Sequence, residues 1–474
     1  MSDDLPPGVA EGWAALGGDP ALTERVTAAG TGGLRSRLPA LPLARATVAL
    51  CSLAAAELAA RRGGGPVPAV RVDDGAVTAA FLGDRLVRLD GAPPTAFAPL
   101  SRFWPAADGW VRTHANYPHH RRRLRQALGL PDGAGAASVA GAVAERPATG
   151  VEEAVYAAGG LAVAVRSARE WAAHPQGAAA AAEPLLLCGA LGAAGAPPAA
   201  EAPRALPCAG LRVLDLTRVL AGPVATRTLA LLGADVLRVD SPGLPEAQDL
   251  HDDTGLGKRS ALLDLGRRAD RAVFEELLSS ADVVVTGYRP GALDRFGLLP
   301  GDLAARRPGL VVGRLSAWGR SGPWSGRRGF DSLVQAASGI ALREGDDGVP
   351  GALPAQALDH GTGYLLAAGL LRALTLRHSS GTGRVVDVSL ARTAAWLLHG
   401  PGTASGPSAA EEDLAAEEDL GAEEDFDAEP WTTEVDTPRG RLRHALPAVA
   451  FDGGPSGWAA PSGRWGADAP GWRR

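Results

Sequence analysis

The sequence of 474 residues is poor in the residue types that mark nucleic-acid binding, disulfide scaffolds and zinc sites. Its 47 basic residues are outnumbered by 53 acidic ones, which leaves a net charge of −6. Nucleic-acid binding needs a positively charged surface, so nucleic acid is not expected as a partner. The three cysteines, Cys51, Cys188 and Cys208, form no CxxC pair and are odd in number. This pattern argues against a disulfide framework or a zinc ribbon and favours a reducing cytoplasm.

The sequence also lacks the signals of a secreted or membrane protein. Residues 1–4 are acidic and are not followed by the apolar run of a signal peptide. The most apolar early stretch, residues 41–60, contains Arg45 and Glu57, so it predicts a buried amphipathic helix rather than a membrane span. With 46% hydrophobic residues, the chain has enough apolar material for a sizeable core. We therefore expect a cytoplasmic globular protein without a membrane partner.

Several common catalytic motifs are missing. There is no GxSxG and no HExxH, and the nine histidines show no metal-ligand spacing, so no metal site is expected. The pair His119-His120 is flanked by arginines and is expected on the surface. Residues 255–260 imitate a phosphate-binding loop, but Arg259 stands where that loop needs Ser or Thr. The turn at residues 217–223 is not GxGxxG, which disfavours dinucleotide binding in the usual mode.

Hydrophobic periodicity predicts the fold class from residue 211 onwards. Apolar strands at 211–216, 234–239, 283–286, 310–315 and 385–389 alternate with helical segments. Strand, helix and strand within about thirty residues form a βαβ unit, which requires a parallel sheet with right-handed crossovers. The sequence thus predicts a doubly wound, Rossmann-like α/β domain accompanied by a smaller α+β domain.

Composition divides the chain into five parts. The C-terminal part is rich in Trp and Pro and is expected to pack back on a domain. Residues 410–426 repeat an acidic Ala-Glu-Glu-Asp motif every six residues, which fits either a solvated linker or a docking tail for a basic partner. The predicted parts are a degenerate N-terminal segment (1–94), the small α+β domain with a hairpin at residues 108–109 and a low-complexity linker from 178 (95–200), the α/β domain (205–400), the acidic linker (401–430) and the C-terminal tail (431–474).

Two loops are candidates for binding a phosphorylated ligand. Residues 288–291 follow a strand and precede Arg295, and ligands of open α/β sheets bind at this edge. Arginines there suit a diphosphate, although a solvated turn with surface arginines explains them as well. The second loop, residues 322–331, holds Arg327 and Arg328, and a helix entry capped by Asp331 explains it equally.

Asp359 is the candidate for chemistry. We predict it at the N-cap of a long apolar helix over 361–377, a position that by itself explains an aspartate. The same place would keep the carboxylate ionised and surround it with free amide groups that can receive an oxyanion. Gly361 and Gly363 would leave room for an acyl group, and a charged carboxylate needs no general base to attack it. His360 either tunes this site or faces solvent.

Five segments, taken together, resemble a known family. Residues 211–239 contain Leu-Asp-Leu-Thr-Arg-Val-Leu-Ala-Gly-Pro and Leu-Gly-Ala-Asp-Val, and the other four segments are 257–265, 289–291, 319–323 and 380–387. Their order is similar to that of the family III CoA-transferases, a superfamily that includes formyl-CoA and carnitine-CoA transferases and α-methylacyl-CoA racemases. The resemblance implies transfer of coenzyme A from an acyl-CoA thioester to a carboxylic acid, with coenzyme A as part of the substrate and no permanently bound cofactor.

The resemblance also implies roles for individual residues. Asp359 matches the aspartate that forms an acyl anhydride and then a thioester with coenzyme A. Ser241 departs from the basic residue that some members carry after the second strand, which removes one phosphate contact. The positions that match coenzyme A contacts are Leu220, Ala221, Leu263, Asp264, Leu265, Gly266, Tyr288, Arg289, Arg295 and Arg328.

Alternatives stay open on activity and on assembly. Related racemases carry His where this chain has Phe330, and Phe330 cannot carry the second proton that racemisation needs, so transfer is favoured. A catalytically silent CoA-binding scaffold is the remaining alternative. Residues 103–128 and 159–176 resemble the family's small domain, which normally follows the nucleophile. We therefore expect a rearranged or partly duplicated chain that forms a homodimer or an intrachain pseudo-dimer.

Overall fold

The structure is a computed structural model that describes residues 5–95, 97–192, 205–402 and 426–473. Residues 5–95 form a layer of helices and short strands around one long apolar helix, and the parallel pair β1 and β2 borders it. The elements of this layer are α1 (Val9–Ala15), a 3₁₀ turn (Pro20–Arg25), β1 (Val26–Ala29), α2 (Ala40–Gly63), β2 (Val70–Asp73), α3 (Asp74–Phe81), α4 (Gly83–Leu86) and β3 (Arg88–Leu89).

A small α+β unit follows, as predicted. Its three antiparallel strands lie in the order β4–β5–β6, and three helices cover them with a separate apolar core. The predicted hairpin is present, with residues 107–108 in its two-residue loop. The Trp104 indole of this core donates to Thr113 Oγ1 at 2.8 Å. The elements are β4 (Phe103–Ala106), β5 (Gly109–Thr113), α5 (Pro118–Leu128), α6 (Ala136–Ala144), α7 (Ala148–Ala157) and β6 (Ala162–Ala164).

The segment after this unit differs from its prediction. Helices α8 (Ala168–Ala173) and α9 (Pro175–Ala182) lead to strand β7 (Leu187–Leu191). Strand β7 pairs antiparallel with the edge of the large sheet. The interpretation of residues 178–192 as a linker is therefore wrong, because alternation of Ala and Gly hides both a helix and an edge strand. Residues 193–200 of that linker lie outside the described residues.

Residues 205–402 form the predicted doubly wound domain. Six parallel strands and β7 make one sheet in the order β10–β9–β8–β11–β12–β13–β7. The elements are β8 (Arg212–Leu216), α10 (Ala221–Leu231), β9 (Asp235–Asp240), α11 (Gln248–Thr254), β10 (Arg259–Leu262), α12 (Arg268–Ser279), β11 (Val283–Thr286), a 3₁₀ turn (Asp294–Phe296), α13 (Pro300–Arg306), β12 (Val311–Ser316), α14 (Asp331–Ser338), α15 (Ile340–Arg343), α16 (Ala357–Ser380), β13 (Gly383–Ser389) and α17 (Leu390–His399).

The strand order places a crevice at the centre of the sheet. Strands β8 and β11 are neighbours there. Strands β9 and β10 follow β8 on one side, and β12 and β13 follow β11 on the other. At such a switch point the loops after the two strands diverge and leave room for a ligand. The loops in question begin at Thr217 and Gly287.

Helices α2 and α16 form the centre of the largest core. Both helices have 24 residues. They run in the same direction, because Leu43 lies near Gly361 at their N-terminal ends and Arg61 donates to Ser379 at 2.5 Å at their C-terminal ends. Helix α2 is long and apolar enough to cross a membrane by length and composition, but 78% of its most apolar window is buried inside the protein. Its burial on nearly all sides corrects the prediction of an amphipathic helix.

The C-terminal residues pack on the domain, as predicted. Strands β14 (Thr432–Thr437) and β15 (Gly440–Ala445) follow a 3₁₀ turn (Glu429–Trp431) and form a sheet with β3. The indole groups of Trp458, Trp465 and Trp472 then donate to Arg227 O, Asp240 Oδ2 and Leu277 O at 2.9, 2.9 and 3.2 Å. Residues 410–425 of the acidic repeat lie outside the described residues.

Candidate active site

A cavity of about 800 Å³ lies at the carboxyl ends of the central strands. It contains Asp359 and nine of the ten positions predicted to contact coenzyme A. These nine residues are Leu220, Ala221, Leu263, Asp264, Leu265, Tyr288, Arg289, Arg295 and Arg328. Gly266 does not line the cavity. Its N–H donates to Asp264 Oδ1 at 2.9 Å, so Gly266 belongs to the turn that follows β10. The sequence thus predicted a set of residues that the fold brings together from six separate segments.

Asp359 belongs to the first turn of α16 and is not its N-cap. The helix begins at Ala357, and the N-cap residue, Gln356, offers no side-chain cap. The carboxylate of Asp331 caps the helix from α14 instead, because Asp331 Oδ2 accepts the backbone N–H of Asp359 at 2.9 Å. The backbone N–H of Asp359 therefore already has an acceptor. It is not free to receive an oxyanion, which differs from the prediction of free amide groups around this residue.

The glycines that follow Asp359 serve packing between helices. A methyl group at Gly363 would lie 2.5 Å from the carbonyl oxygen of Ala221 on α10. Gly361 faces Leu43 and Thr393 at ordinary distances of 3.6 and 3.7 Å. Both glycines are buried, so the prediction that they make room for an acyl group is wrong. Gly363 instead allows α10 and α16 to approach closely.

The direction of the pKa shift of Asp359 also differs from the prediction. Burial raises the pKa of Asp359 well above its ordinary value, and the nearby carboxylates of Asp331 and Asp84 raise it further. Burial likewise raises the pKa of Asp331, to about 6. Desolvation and two like charges outweigh the helix dipole on which the prediction relied. The carboxyl oxygens of Asp359 accept no hydrogen bond from the described residues, and the side chain borders the cavity.

His360 lies on the other side of the helix and is fully buried, so the solvent-facing alternative is wrong. Its ring stacks on Phe81, with ring centroids 5.2 Å apart, and its Nε2 lies 3.5 Å from Asp84 Oδ1. Burial disfavours the charged form of Asp84, yet the contact with His360 holds the pKa of Asp84 below its ordinary value. His360 thus keeps a negative charge near Asp359.

Unpaired arginines surround the mouth of the cavity. Within the described part of the chain, no carboxylate pairs with the guanidinium groups of Arg123, Arg289, Arg295 or Arg328. Burial and the charges of Arg289 and Arg123 lower the pKa of Arg328, which shows how closely these cations are grouped. Such an excess of positive charge suits a phosphate or diphosphate group.

The small α+β unit supplies residues that the sequence analysis did not select for the site. Tyr117, His119, His120 and Arg123 line the cavity opposite the sheet. His120 is only 4% exposed, so the expected surface position is wrong for it, and burial next to His119 and Arg328 lowers its pKa to about 3. The density of aromatic, histidine and arginine residues around position 117 was the available signal.

Phe330 lines the cavity that also contains Asp359. Its ring stacks on that of His114 with centroids 3.7 Å apart and planes 2° from parallel. Burial lowers the pKa of His114 to about 3, so this imidazole is neutral at neutral pH. The stacked His114 ring therefore supports the Phe330 ring, which borders the cavity.

These features describe an α/β protein with an arginine-lined cavity at the switch point of its sheet. Comparison with known proteins identifies the family: residues 208–422 match the family model "CoA-transferase family III". This segment of the chain belongs to CoA-transferase family III, as the sequence motifs predicted.

The curated relatives carry the names of CoA-transferases. The chain is 35% identical over 207 residues to the probable fatty acyl-CoA transferase Rv3272 of Mycobacterium tuberculosis, covering 41% of this chain and 52% of that protein. It is 36% identical over 207 residues to the acetyl-CoA:oxalate CoA-transferase of Acetobacter aceti, covering 41% and 53%. It is 34% identical over 193 residues to the formyl-CoA:oxalate CoA-transferase of Streptomyces coelicolor, covering 38% and 47%.

The similarity covers only part of each protein. The chain spans about half the length of the curated relatives that it matches. A crystal structure of Rv3272 superposes with a TM-score of 0.39 at 36% identity, over 40% of this chain and 55% of that one. The family match begins at residue 208, so the small α+β unit lies outside it.

Proposed function

We propose that the protein transfers coenzyme A from an acyl-CoA thioester to a carboxylic acid, with Asp359 as the nucleophile. One observation carries the proposal: the Asp359 carboxyl group borders the same cavity as three unpaired arginines, Arg289, Arg295 and Arg328. A thioester that extends from a diphosphate would reach a nucleophile through such a cavity. Coenzyme A enters as part of the substrate.

The first half of the proposed reaction charges the enzyme. An oxygen of ionised Asp359 attacks the thioester carbonyl carbon, the C–S bond breaks, and an acyl-aspartyl anhydride and a CoA thiolate result. The thiolate then attacks the aspartyl carbonyl of the anhydride. This step releases the donor as a free carboxylate and leaves coenzyme A on Asp359 as a thioester.

The second half reverses these steps with the acceptor. The acceptor carboxylate attacks the aspartyl thioester carbonyl and expels the CoA thiolate, which gives a new mixed anhydride. The thiolate attacks the acceptor's carbonyl carbon, forms the new acyl-CoA and returns Asp359 as a carboxylate. No net proton transfer is needed, because every attacking and leaving group is anionic.

The surroundings of Asp359 suit this role. A raised pKa makes the ionised carboxylate a stronger nucleophile, while the arginines at the mouth attract the anionic substrate that must enter. Leu220 and Ala221 at the N-terminus of α10 line the same cavity, and their amides, which donate to no acceptor among the described residues, are suited to receive an oxyanion. Racemisation is disfavoured, because Phe330 has no titratable group.

Mass spectrometry of the intact protein tests the proposal. The protein is incubated with a panel of acyl-CoAs, and we expect a covalent CoA thioester that hydroxylamine removes and that peptide mapping places on Asp359. Asp359→Asn should abolish both the adduct and transfer. Asp302→Asn, at an exposed aspartate of α13, is the matched control and should retain both. CoA binding without any adduct across the panel would favour a non-catalytic CoA-binding scaffold.

A further inference from the structure

The turn between β8 and α10 holds a residue in an unfavourable backbone conformation. Val219 has φ = +68°, in the left-handed region. Across the described ranges, the other non-glycine residues with positive φ are Asp90 and Asp347, and aspartate tolerates this region far better than a β-branched residue does. Such a conformation persists only where neighbouring groups hold it in place.

The side chain of Glu246 contacts the backbone of Val219. Glu246 lies between β9 and α11, and its side chain is only 1% exposed. Its Oε2 accepts the backbone N–H of Val219 at 3.0 Å. The same carboxylate lies 3.5 Å from Arg218 Nε and 3.3 Å from Arg238 Nη2, so two cations keep it in place.

The small α+β unit reaches the same carboxylate. The hydroxyl group of Tyr117 donates to Glu246 Oε1 at 2.8 Å, and the Arg218 guanidinium lies 5.2 Å from the centre of the Tyr117 ring. One buried carboxylate therefore links the wall contributed by the small unit to the strained turn of the large domain.

The residues directly after Val219 face the cavity. Leu220 and Ala221 line it, and α10 begins at Ala221 without a side-chain cap. Their backbone N–H groups donate to no acceptor in the described part of the chain. The direction of these two N–H groups depends on the backbone torsion of Val219, because that torsion sets the direction in which the chain continues from the turn into Leu220 and Ala221.

We propose that Glu246 is a positioning residue for CoA binding: it holds Val219 in the left-handed conformation and so aims the amides of Leu220 and Ala221 into the cavity. This inference rests on the proposed function for the identity of the ligand. Glu246 does not itself line the cavity. Its effect on binding is exerted through the turn.

A rescue experiment separates positioning from a general structural role. Glu246→Gln is made alone, with Val219→Gly and with Val219→Ala, and the affinity for free CoA is measured by titration calorimetry. Glycine adopts positive φ without steric cost, whereas alanine keeps most of the penalty. We expect Glu246→Gln to weaken CoA binding about tenfold in the parent and in the Val219→Ala background, as for loss of a charged hydrogen-bond partner. In the Val219→Gly background the loss should be about threefold or less.

Equal losses in the glycine and alanine backgrounds would overturn the proposal, as would unchanged binding in Glu246→Gln. The thermal unfolding midpoint is recorded for every variant, and a rescue that appears in the midpoint but not in CoA affinity also counts against it.

Amide hydrogen exchange keeps this inference separate from the proposed function. In the parent the Val219 N–H should be protected by Glu246, and Glu246→Gln should increase exchange in a peptide covering 217–222 with no ligand present. If the parent binds no CoA, the proposed function fails. Unchanged exchange in Glu246→Gln would then overturn the positioning role as well, whereas increased exchange would support the anchoring of the turn.

Discussion

The backbone N–H of Asp359 donates to the carboxylate of Asp331 at 2.9 Å, so a second acidic side chain caps the helix that carries the proposed nucleophile. Gln335 donates to the other oxygen of Asp331 and fixes its orientation. This arrangement orders the first turn of α16 and at the same time places a like charge next to Asp359. The cap and the raised pKa of Asp359 therefore have a common origin.

Removal of the negative charge of Asp331 should shift the pH–rate profile of the reaction. The attacking form of Asp359 is ionised, so kcat/KM should rise with pH through the pKa of Asp359 in the free enzyme. Asp331→Asn keeps an oxygen for the cap but removes the repulsion, which lowers the pKa of Asp359. The rising limb of the pH–rate profile should therefore move to lower pH. Asp302→Asn is the control, and a limb that stays in place or moves to higher pH would contradict this account.

The arginines at the cavity mouth should control CoA affinity and its dependence on salt. Arg328→Gln removes a cation that pairs with no carboxylate in the described residues, so the native structure loses little while an anionic ligand loses a partner. We expect the KM for acyl-CoA to rise about tenfold at low salt, with a smaller rise at high salt. Arg306→Gln, which breaks a surface pair with Glu275, is the matched control. An equal effect in both variants would contradict the assignment.

Much of the large domain was predictable because its signals are local. Apolar strands such as 283–286 are buried on both faces and so appear as continuous hydrophobic runs. Strand β7 was not predictable, since Leu187–Leu191 is partly exposed and composed of small residues. Its place is set by pairing with β13, a contact that no local pattern encodes.

The grouping of the predicted residues around one cavity could be predicted, but the electrostatics of Asp359 could not. Motif order indicated that Asp359 and the predicted coenzyme A positions belong to one site, whereas the proximity of Asp331 and Asp84 arises from tertiary contacts of these two side chains with the first turn of α16. The sequence shows only that Asp359 begins a helix, and the helix dipole alone predicts the wrong direction of the pKa change. The rearranged domain order, the pseudo-dimer or homodimer and the cytoplasmic location stay predictions.

The interface between α2 and α16 should depend on one buried ion pair. Arg372 donates to both carboxyl oxygens of Glu57 at 2.6 and 2.5 Å and also to Gly17 O at 2.8 Å. Glu57→Gln leaves Arg372, which is 5% exposed, without its counter-charge. We expect the free energy of unfolding to fall by about 2 kcal/mol, measured by urea denaturation. Glu276→Gln, at an exposed position of α12, should change it by less than about 0.5 kcal/mol.

Two glycines of α16 provide the last, internally controlled prediction. A methyl group at Gly363 would lie 2.5 Å from Ala221 O and 2.9 Å from the Val224 side chain, so Gly363→Ala must push α10 away. We expect it to destabilise the protein by about 1–3 kcal/mol. At Gly361 the nearest atom lies 3.6 Å away, so Gly361→Ala should be neutral or stabilise the helix by up to about 1 kcal/mol. Urea denaturation of both variants checks the pair, and similar stabilities would contradict the close approach of α10 and α16.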